Sequence, residues 1–131
     1  VDFRSSDQTS SRQQLGKRGE AAAAKFLRNL GYRIAARNYR CPVGEVDIIA
    51  LDGSTIVFVE VKSRTSADAA DPEITVHGQK RRRLTRAAKY FLSRKSGLDP
   101  PCRFDVVAVV LPETGPVEVE HFIDAFSPGP R

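Results

Sequence analysis

The chain has 131 residues and a mass of 14.4 kDa, with 40% apolar and 28% charged residues, which describes one globular domain and excludes a multidomain enzyme or a wholly disordered chain. Its 21 Lys and Arg against 16 Asp and Glu give a formal charge of +5 and a pI near 9.6, a balance that permits a polyanion partner without naming one. No run approaches the roughly 18 apolar residues of a membrane span, and Cys41 and Cys102 stand outside any CxxC or Cys/His spacing, so neither a disulfide framework nor a zinc site is suggested.

In chain order, residues 1–11 are rich in Ser, Gln and Asp and predict a disordered tail. A single domain is expected over 12–126. Leu15, Ala22, Ala23, Phe26, Leu27 and Leu30 recur at helical spacing, and Gly31 stands where a glycine would end the helix. Tyr32 to Tyr39 alternates as a strand, and Cys41-Pro42-Val43-Gly44 reads as a turn. Glu45–Leu51 and Ile56–Lys62 are rich in Val, Ile and Phe and flank Asp52-Gly53-Ser54-Thr55, the pattern of a hairpin. Arg64 to Glu73 predicts a polar loop. A second helix runs from about Val76 to Lys95 with Leu84, Ala87, Ala88, Phe91 and Leu92 on one stripe, and Gly97 follows it. Arg103–Leu111 is almost continuously apolar, as in a strand covered on both faces. Val117–Phe122 reads as a short edge strand followed by a helical turn, and 127–131 as a C-terminal tail. Strand, helix and buried strand in succession predict a parallel crossover, hence an α/β fold.

The charges are segregated. From Arg12 to Arg40 there are eight basic residues and one acid, Glu20; from Lys80 to Lys95 there are eight basic residues and no acid. Two basic blocks around an acidic remainder suit a nucleic-acid binder, which gains affinity by neutralising phosphates. They suit two solvated helix faces equally well.

The hairpin carries the chemistry. A four-residue turn pairs Leu51 with Ile56 and Ile49 with Phe58, and so sets Asp47 against Glu60 and Glu45 against Lys62. Two facing carboxylates repel unless something offsets them. A divalent cation such as Mg²⁺ would do so, with phosphate oxygens and water completing its shell, and Lys62 on the same face could reach the same phosphate or its attacking water. In the plainer reading Asp47 and Glu60 are hydrated and Glu45 pairs with Lys62. Glu20 and Lys80 both lean toward the buried sides of their helices, where charged groups require partners; for Glu20 the local choices are Lys17 or Arg28. His77 and His121 are isolated, Asp105 is expected to pair locally, and Tyr32, Tyr39 and Tyr90 read as core or rim aromatics.

Taken in order, Gly16-Lys17-Arg18-Gly19-Glu20, Gly44-Glu45-Val46-Asp47, Val57-Phe58-Val59-Glu60-Val61-Lys62-Ser63-Arg64, Lys80-Arg81-Arg82-Arg83-Leu84 and Arg103-Phe104-Asp105-Val106-Val107 resemble the bacterial YraN family, over nearly everything from Leu15 to Phe122. That family is assigned to the PD-(D/E)XK nuclease superfamily. The resemblance implies a restriction-endonuclease-like core of order α-β-β-β-α-β-β, with a mixed central sheet flanked by helices. It also implies Asp47 as the metal-binding aspartate, Glu60 and Lys62 as the ExK pair, Glu20 as the helix glutamate and Lys80 as a basic residue of the following helix. Val46 stands where the superfamily's proline would be.

The expected activity is metal-dependent phosphodiester hydrolysis. Asp47, Glu60 and the backbone carbonyl of Val61 would hold Mg²⁺ or Mn²⁺, Lys62 would orient or deprotonate the attacking water, and Glu20 would reach a metal through water or a second site. Arg64, Lys80, Arg81, Arg82, Arg83 and Arg86 would grip DNA or RNA phosphates, which positions a substrate without reading its sequence. Two alternatives remain: a nucleic-acid-binding protein of nuclease fold with little or no turnover, and a scaffold whose basic helix meets an acidic protein. The expected setting is cytoplasmic, without membrane and with reduced, partly buried thiols; a homodimer could bring two sites to one duplex.

Overall fold

Helical and alternating patterns condense into α1 (Phe3–Asn29), β1 (Arg33–Cys41), β2 (Gly44–Asp52), β3 (Thr55–Thr65), α2 (Gly78–Ser93), β4 (Cys102–Leu111) and β5 (Glu118–Phe126), in a computed structural model that describes residues 3–65, 78–95 and 99–126. The strands form one mixed sheet in the order β1-β2-β3-β4-β5. Only β3 and β4, the pair joined across α2, run parallel; the other neighbours are antiparallel. This is the expected α/β order, and the hairpin register is as read from the sequence near its turn, with Leu51 opposite Ile56 and Ile49 opposite Phe58.

Strand alternation divides the core between two faces. Ile48, Ala50, Val57, Val59, Val107 and Val109 pack with Ala23, Ala24 and Leu27 of α1. Ile49, Phe58, Phe104 and Val106 pack on the other face with Leu84, Ala87 and Ala88 of α2. There Tyr39, Phe91, Phe58, Phe104 and Phe126 form a chain of ring contacts with centroids 5.0–5.9 Å apart.

Two glycines let the helices approach the sheet. A Cβ on Gly19 would lie 1.7 Å from Ser63 Oγ, so α1 meets β3 there without room for a side chain. A Cβ on Gly44 would lie 2.5 Å from the carbonyl oxygen of Arg83, which seats α2 on the start of β2. Helix α1 ends as expected: Gly31 has φ 95°, its N–H donates to the Arg28 carbonyl at 2.9 Å, and the Tyr32 N–H donates to the Leu27 carbonyl at 3.0 Å.

Several boundaries differ from expectation. Helix α1 begins at Phe3, where a disordered tail was expected up to residue 11; residues 3–15 hold neither Gly nor Pro, and a helix nucleated by the Ala-rich segment extends at little cost. The helical turn expected after Phe122 is instead a bulge in β5, with Asp124 at φ 54° and a register shift opposite Asp105. Cys102 is exposed rather than partly buried. Arg64 and Thr65 belong to β3, while the rest of the expected polar loop, the helix start near Val76, His77, Gly97 and residues 127–131 lie outside the described residues. No helix among the described residues is long and apolar enough to cross a membrane.

The bulge exists for a reason. Asp105 is fully buried, and its carboxylate accepts hydrogen bonds from Arg103 Nε (3.0 Å) and from the Asp124 amide (2.9 Å), with His121 Nε2 at 2.7 Å. Arg103 also reaches Asp52 (3.0 Å) and the Tyr32 hydroxyl (2.7 Å). This network ties β2, β4, β5 and the end of α1 together at the turn end of the hairpin, and it makes the local pairing expected of Asp105.

Asp105→Ala strands a buried Arg103 and His121 and is expected to cost about 3–5 kcal/mol in urea unfolding. By the same measurement Gly19→Ala costs about 1–3 kcal/mol. Gly16→Ala, with nothing within 4 Å of its Cβ, is neutral to stabilising.

Candidate active site

Strands β2 and β3 part company half-way along. Their rungs run from Asp52↔Thr55 to Ile48↔Val59 and stop; beyond that point β2 stays paired with β1 and β3 with β4. The sheet therefore forks, and the residues at the crotch are Asp47, Glu60 and Val61. The side-chain alternation of β2 breaks there as well: Val46 packs on the same face as Ile49, whereas strict alternation would place it with Ile48. On β1, Asn38 sits between the rungs Arg37↔Ile48 and Tyr39↔Val46, across from Asp47, with φ 52°, a left-handed conformation that Asn tolerates better than most residues.

The expected rungs Asp47–Glu60 and Glu45–Lys62 thus do not form. Instead Asp47 Oδ2 accepts the Val61 N–H at 2.8 Å, a side chain standing in for the missing strand partner. The Asp47 and Glu60 carboxyls still meet and share a hydrogen bond. Glu45 pairs with Arg40 of β1 at 3.6 Å on the surface.

Burial governs the electrostatics of the pair. Glu60 is 5% exposed, and desolvation, reinforced by the Asp47 charge, pushes its carboxyl up to about 7. Burial also raises Asp47, against the opposing pull of the Val61 N–H. Lys80, half exposed at the start of α2, sends its ammonium back to an ion pair with Glu60. Lys62, two residues beyond Glu60 on the same strand, has its ammonium pKa lowered by burial and by the Lys80 charge.

Two clefts open from the crotch. One, of about 560 Å³, lies on the α2 side and is lined by Glu45, Asp47, Glu60, Lys80 and Arg83. The other, of about 670 Å³, lies on the α1 side and includes Glu20, Asn38, Asp47, Val61 and Ser63. Asp47 and Val61 belong to both. Glu20 is held by Arg37 of β1 (Nε to Oε1, 3.2 Å) rather than by Lys17 or Arg28. Arg82, Arg83 and Arg86 are exposed along α2, whereas Arg81 turns away to lie over the Phe126 ring at 5.0 Å. Arg64 lies further along β3, close enough for its charge to reach Lys62.

The donors suit a hard divalent cation. Asp47 and Glu60 supply hard oxygen donors whose raised pKa values mark a site where ionising both carboxyls is costly, which a divalent cation would offset. Among the described residues no third His, Cys, Asp or Glu side chain joins them, so water and phosphate oxygens would complete the shell. Arg37, Asn38 and Ser63 belong to this region and escape a reading of the sequence alone. The one signal for them is Asn38, a turn-favouring residue in the middle of a strand.

Between about pH 4.5 and 7 folded Glu60 holds a proton that the unfolded chain has released, so stability falls as pH rises through that window. Glu60→Gln is therefore expected to be more stable than wild type at pH 8, by up to about 3 kcal/mol, with the gain gone near pH 4. Urea midpoints at the two pH values test this.

Comparison with known proteins follows the same residues. The family model described as "Uncharacterised protein family UPF0102" matches residues 19–109, which span Glu20 and the whole fork. A UPF0102 protein of Geotalea uraniireducens is 46% identical over 124 residues, covering 95% of this chain and 97% of its own. Another, of Moorella thermoacetica, is 52% identical over 103 residues, 79% of this chain and 86% of its own. A third, of Chlorobium limicola, is 43% identical over 117 residues, 86% of this chain and 91% of its own. The chain belongs to the UPF0102 family, the YraN family that its motifs resemble.

Proposed function

We propose that the fork is the active centre of a metal-dependent nuclease that hydrolyses phosphodiester bonds of DNA or RNA and recognises the form of its substrate rather than its sequence. The observation that carries this reading is the meeting at the crotch of a half-buried Asp47 and a buried Glu60, both raised in pKa and followed by Lys62 on the strand of Glu60. Two carboxyls drawn together away from water are a costly arrangement for a purely structural purpose.

Asp47, Glu60 and the Val61 carbonyl would hold Mg²⁺ or Mn²⁺. Bound there, the ion supplies Lewis-acid stabilisation of charge on the phosphate and a more acidic water. The chain's own groups do the remaining work. Lys62, with its lowered pKa, orients the attacking water, takes its proton or offsets charge growing on the phosphate. The Val61 N–H fixes Asp47 in place. Lys80 neutralises Glu60 while no metal is bound and turns to the substrate once one is, joining Arg64, Arg82, Arg83 and Arg86 on backbone phosphates. Glu20, kept on the α1 side by Arg37, orients solvent at the second cleft.

One observation favours a second reading, a nucleic-acid-binding protein without turnover: the Lys80 ammonium already answers the Glu60 charge, so the pair is balanced without a metal.

The readings separate in a cleavage assay on single-stranded, flapped and branched DNA and RNA with Mg²⁺ or Mn²⁺ at stoichiometric protein. A nuclease cleaves in a metal-dependent way, and Glu60→Ala or Lys62→Ala lowers the rate by about 10²-fold or more. Identical traces for wild type and both variants would leave only the binding reading.

A further inference from the structure

We infer that the cleft on the α1 side is a second phosphate-binding surface, in which Arg12, Lys17 and Arg40 contact the backbone of a bound nucleic acid on the face of the sheet opposite α2. The inference rests on the nucleic-acid reading above, whether or not the fork cleaves, and adds to it a surface that the α2 arginines do not supply.

The lining residues leave positive charge unanswered. Arg12 and Lys17 belong to α1 and Arg40 to β1, all three exposed. Among the described residues Arg12 and Lys17 make no ion pair, and Arg40 makes only the surface contact with Glu45 at 3.6 Å, a kind that competes weakly with a phosphate. The two carboxyls of the cleft are already engaged. Glu20 holds Arg37 at 3.2 Å, and Asp47 accepts the Val61 N–H and meets Glu60. An anion arriving from solvent therefore meets three cations whose charge nothing in the cleft has cancelled.

Backbone strain places one of the three. Ala36 and Tyr39, three residues apart on β1, both pack on the face of α2, so the alternation of the strand slips by one residue between them. Asn38, with φ 52°, lies in that interval. The slip leaves Arg37 and Arg40 together on the side of α1, where Arg37 reaches Glu20 and Arg40 lines the cleft. Strict alternation from Ala36 would carry Arg40 to the α2 face. An exposed arginine adds little to stability, so a non-glycine residue held at positive φ to present one to a cleft points to binding rather than to folding.

The rest of the lining separates a nucleic acid from an acidic protein. Gln13, Asn38 and Ser63 offer hydrogen-bonding groups, Leu15 and Val61 are the only large apolar residues, and no aromatic ring is present. Basic side chains with small polar neighbours are the set that contacts phosphate and sugar, whereas a docked protein calls for an apolar or aromatic anchor. Without stacking platforms the grip is tolerant of sequence.

The test is fluorescence anisotropy in EDTA, where binding is read apart from cleavage, on a labelled mixed-sequence oligonucleotide, single-stranded and as a duplex, over a salt series. Arg12→Ala/Lys17→Ala/Arg40→Ala is expected to weaken binding roughly ten-fold or more and to flatten the log–log salt slope on the single strand by about 2, some 0.7 per lost phosphate contact. Arg18→Ala/Lys25→Ala/Arg28→Ala removes the same charge from exposed positions of α1 outside the cleft and is expected to stay within about three-fold of wild type, because charges away from the contact are screened. Circular dichroism checks that both variants fold. Equal losses in the two variants would reduce the effect to net charge and overturn the subsite. If the cleft variant binds like wild type while Arg82→Ala/Arg86→Ala binds weakly, the α1 subsite is wrong and the nucleic-acid reading stands. A cleft variant that loses labelled polyglutamate but keeps the oligonucleotide overturns the assignment in favour of an acidic protein. Absence of binding by wild type to either form overturns the inference together with the nucleic-acid reading, whereas cleft-dependent binding without cleavage in Mg²⁺ supports the subsite and overturns the nuclease reading alone.

Discussion

A β-strand cannot leave its neighbour without leaving backbone amides and carbonyls unpaired, and in the interior of a sheet that cost is severe. Here β2 and β3 separate beyond Ile48 and Val59, and Asp47 makes the separation tolerable by accepting the Val61 N–H. The rest of the site depends on this substitution of a side chain for a strand. It draws one carboxylate toward the interior, where Glu60 already lies buried, so that desolvation raises both pKa values and the Asp47 charge raises that of Glu60 further. It also leaves the gap from which a cleft opens toward each helix.

The two ends of the sheet answer opposite demands. At the turn end of the hairpin Asp105 is buried with every partner it needs, in a network that includes Arg103, His121 and an amide delivered by a bulge. At the forked end the charges are less completely met and solvent reaches them through the clefts. A scaffold that is over-determined at one end can hold a strained arrangement at the other, and the positive φ of Asn38 opposite Asp47 is a local sign of that strain. The helices are fixed close to the fork by backbone approach, α1 at Gly19 against Ser63 and α2 at Gly44 against Arg83. Lys80, in the first turn of α2, therefore comes within reach of the crotch.

Much of this was legible in the sequence because it depends on periodicity. The Ala-rich stripe of α1, the Leu84 to Leu92 stripe of α2 and the apolar run of β4 each name their element, and the pairing of apolar with apolar residues sets the hairpin register near its turn. The same periodicity brought Asp47 and Glu60 together correctly but for an incomplete reason. Extrapolated rungs fail beyond Ile48 and Val59, and no period of two can announce that β2 stops alternating at Asp47. Contacts between distant segments were also beyond reach: the partner of Glu20 is Arg37, seventeen residues away on β1, rather than a neighbour one turn along the helix. The β5 bulge resembled a helical turn because Asp124 takes a positive φ to serve a carboxylate on another strand.

The ion pair between Lys80 and Glu60 has a further consequence for how such a chain is made. A buried Glu60 beside a second carboxyl would otherwise leave a nascent protein with a charge to desolvate and no counterion. By lending an ammonium from its own second helix, the chain carries its own counterion for Glu60 and completes this part of its fold with groups it makes itself.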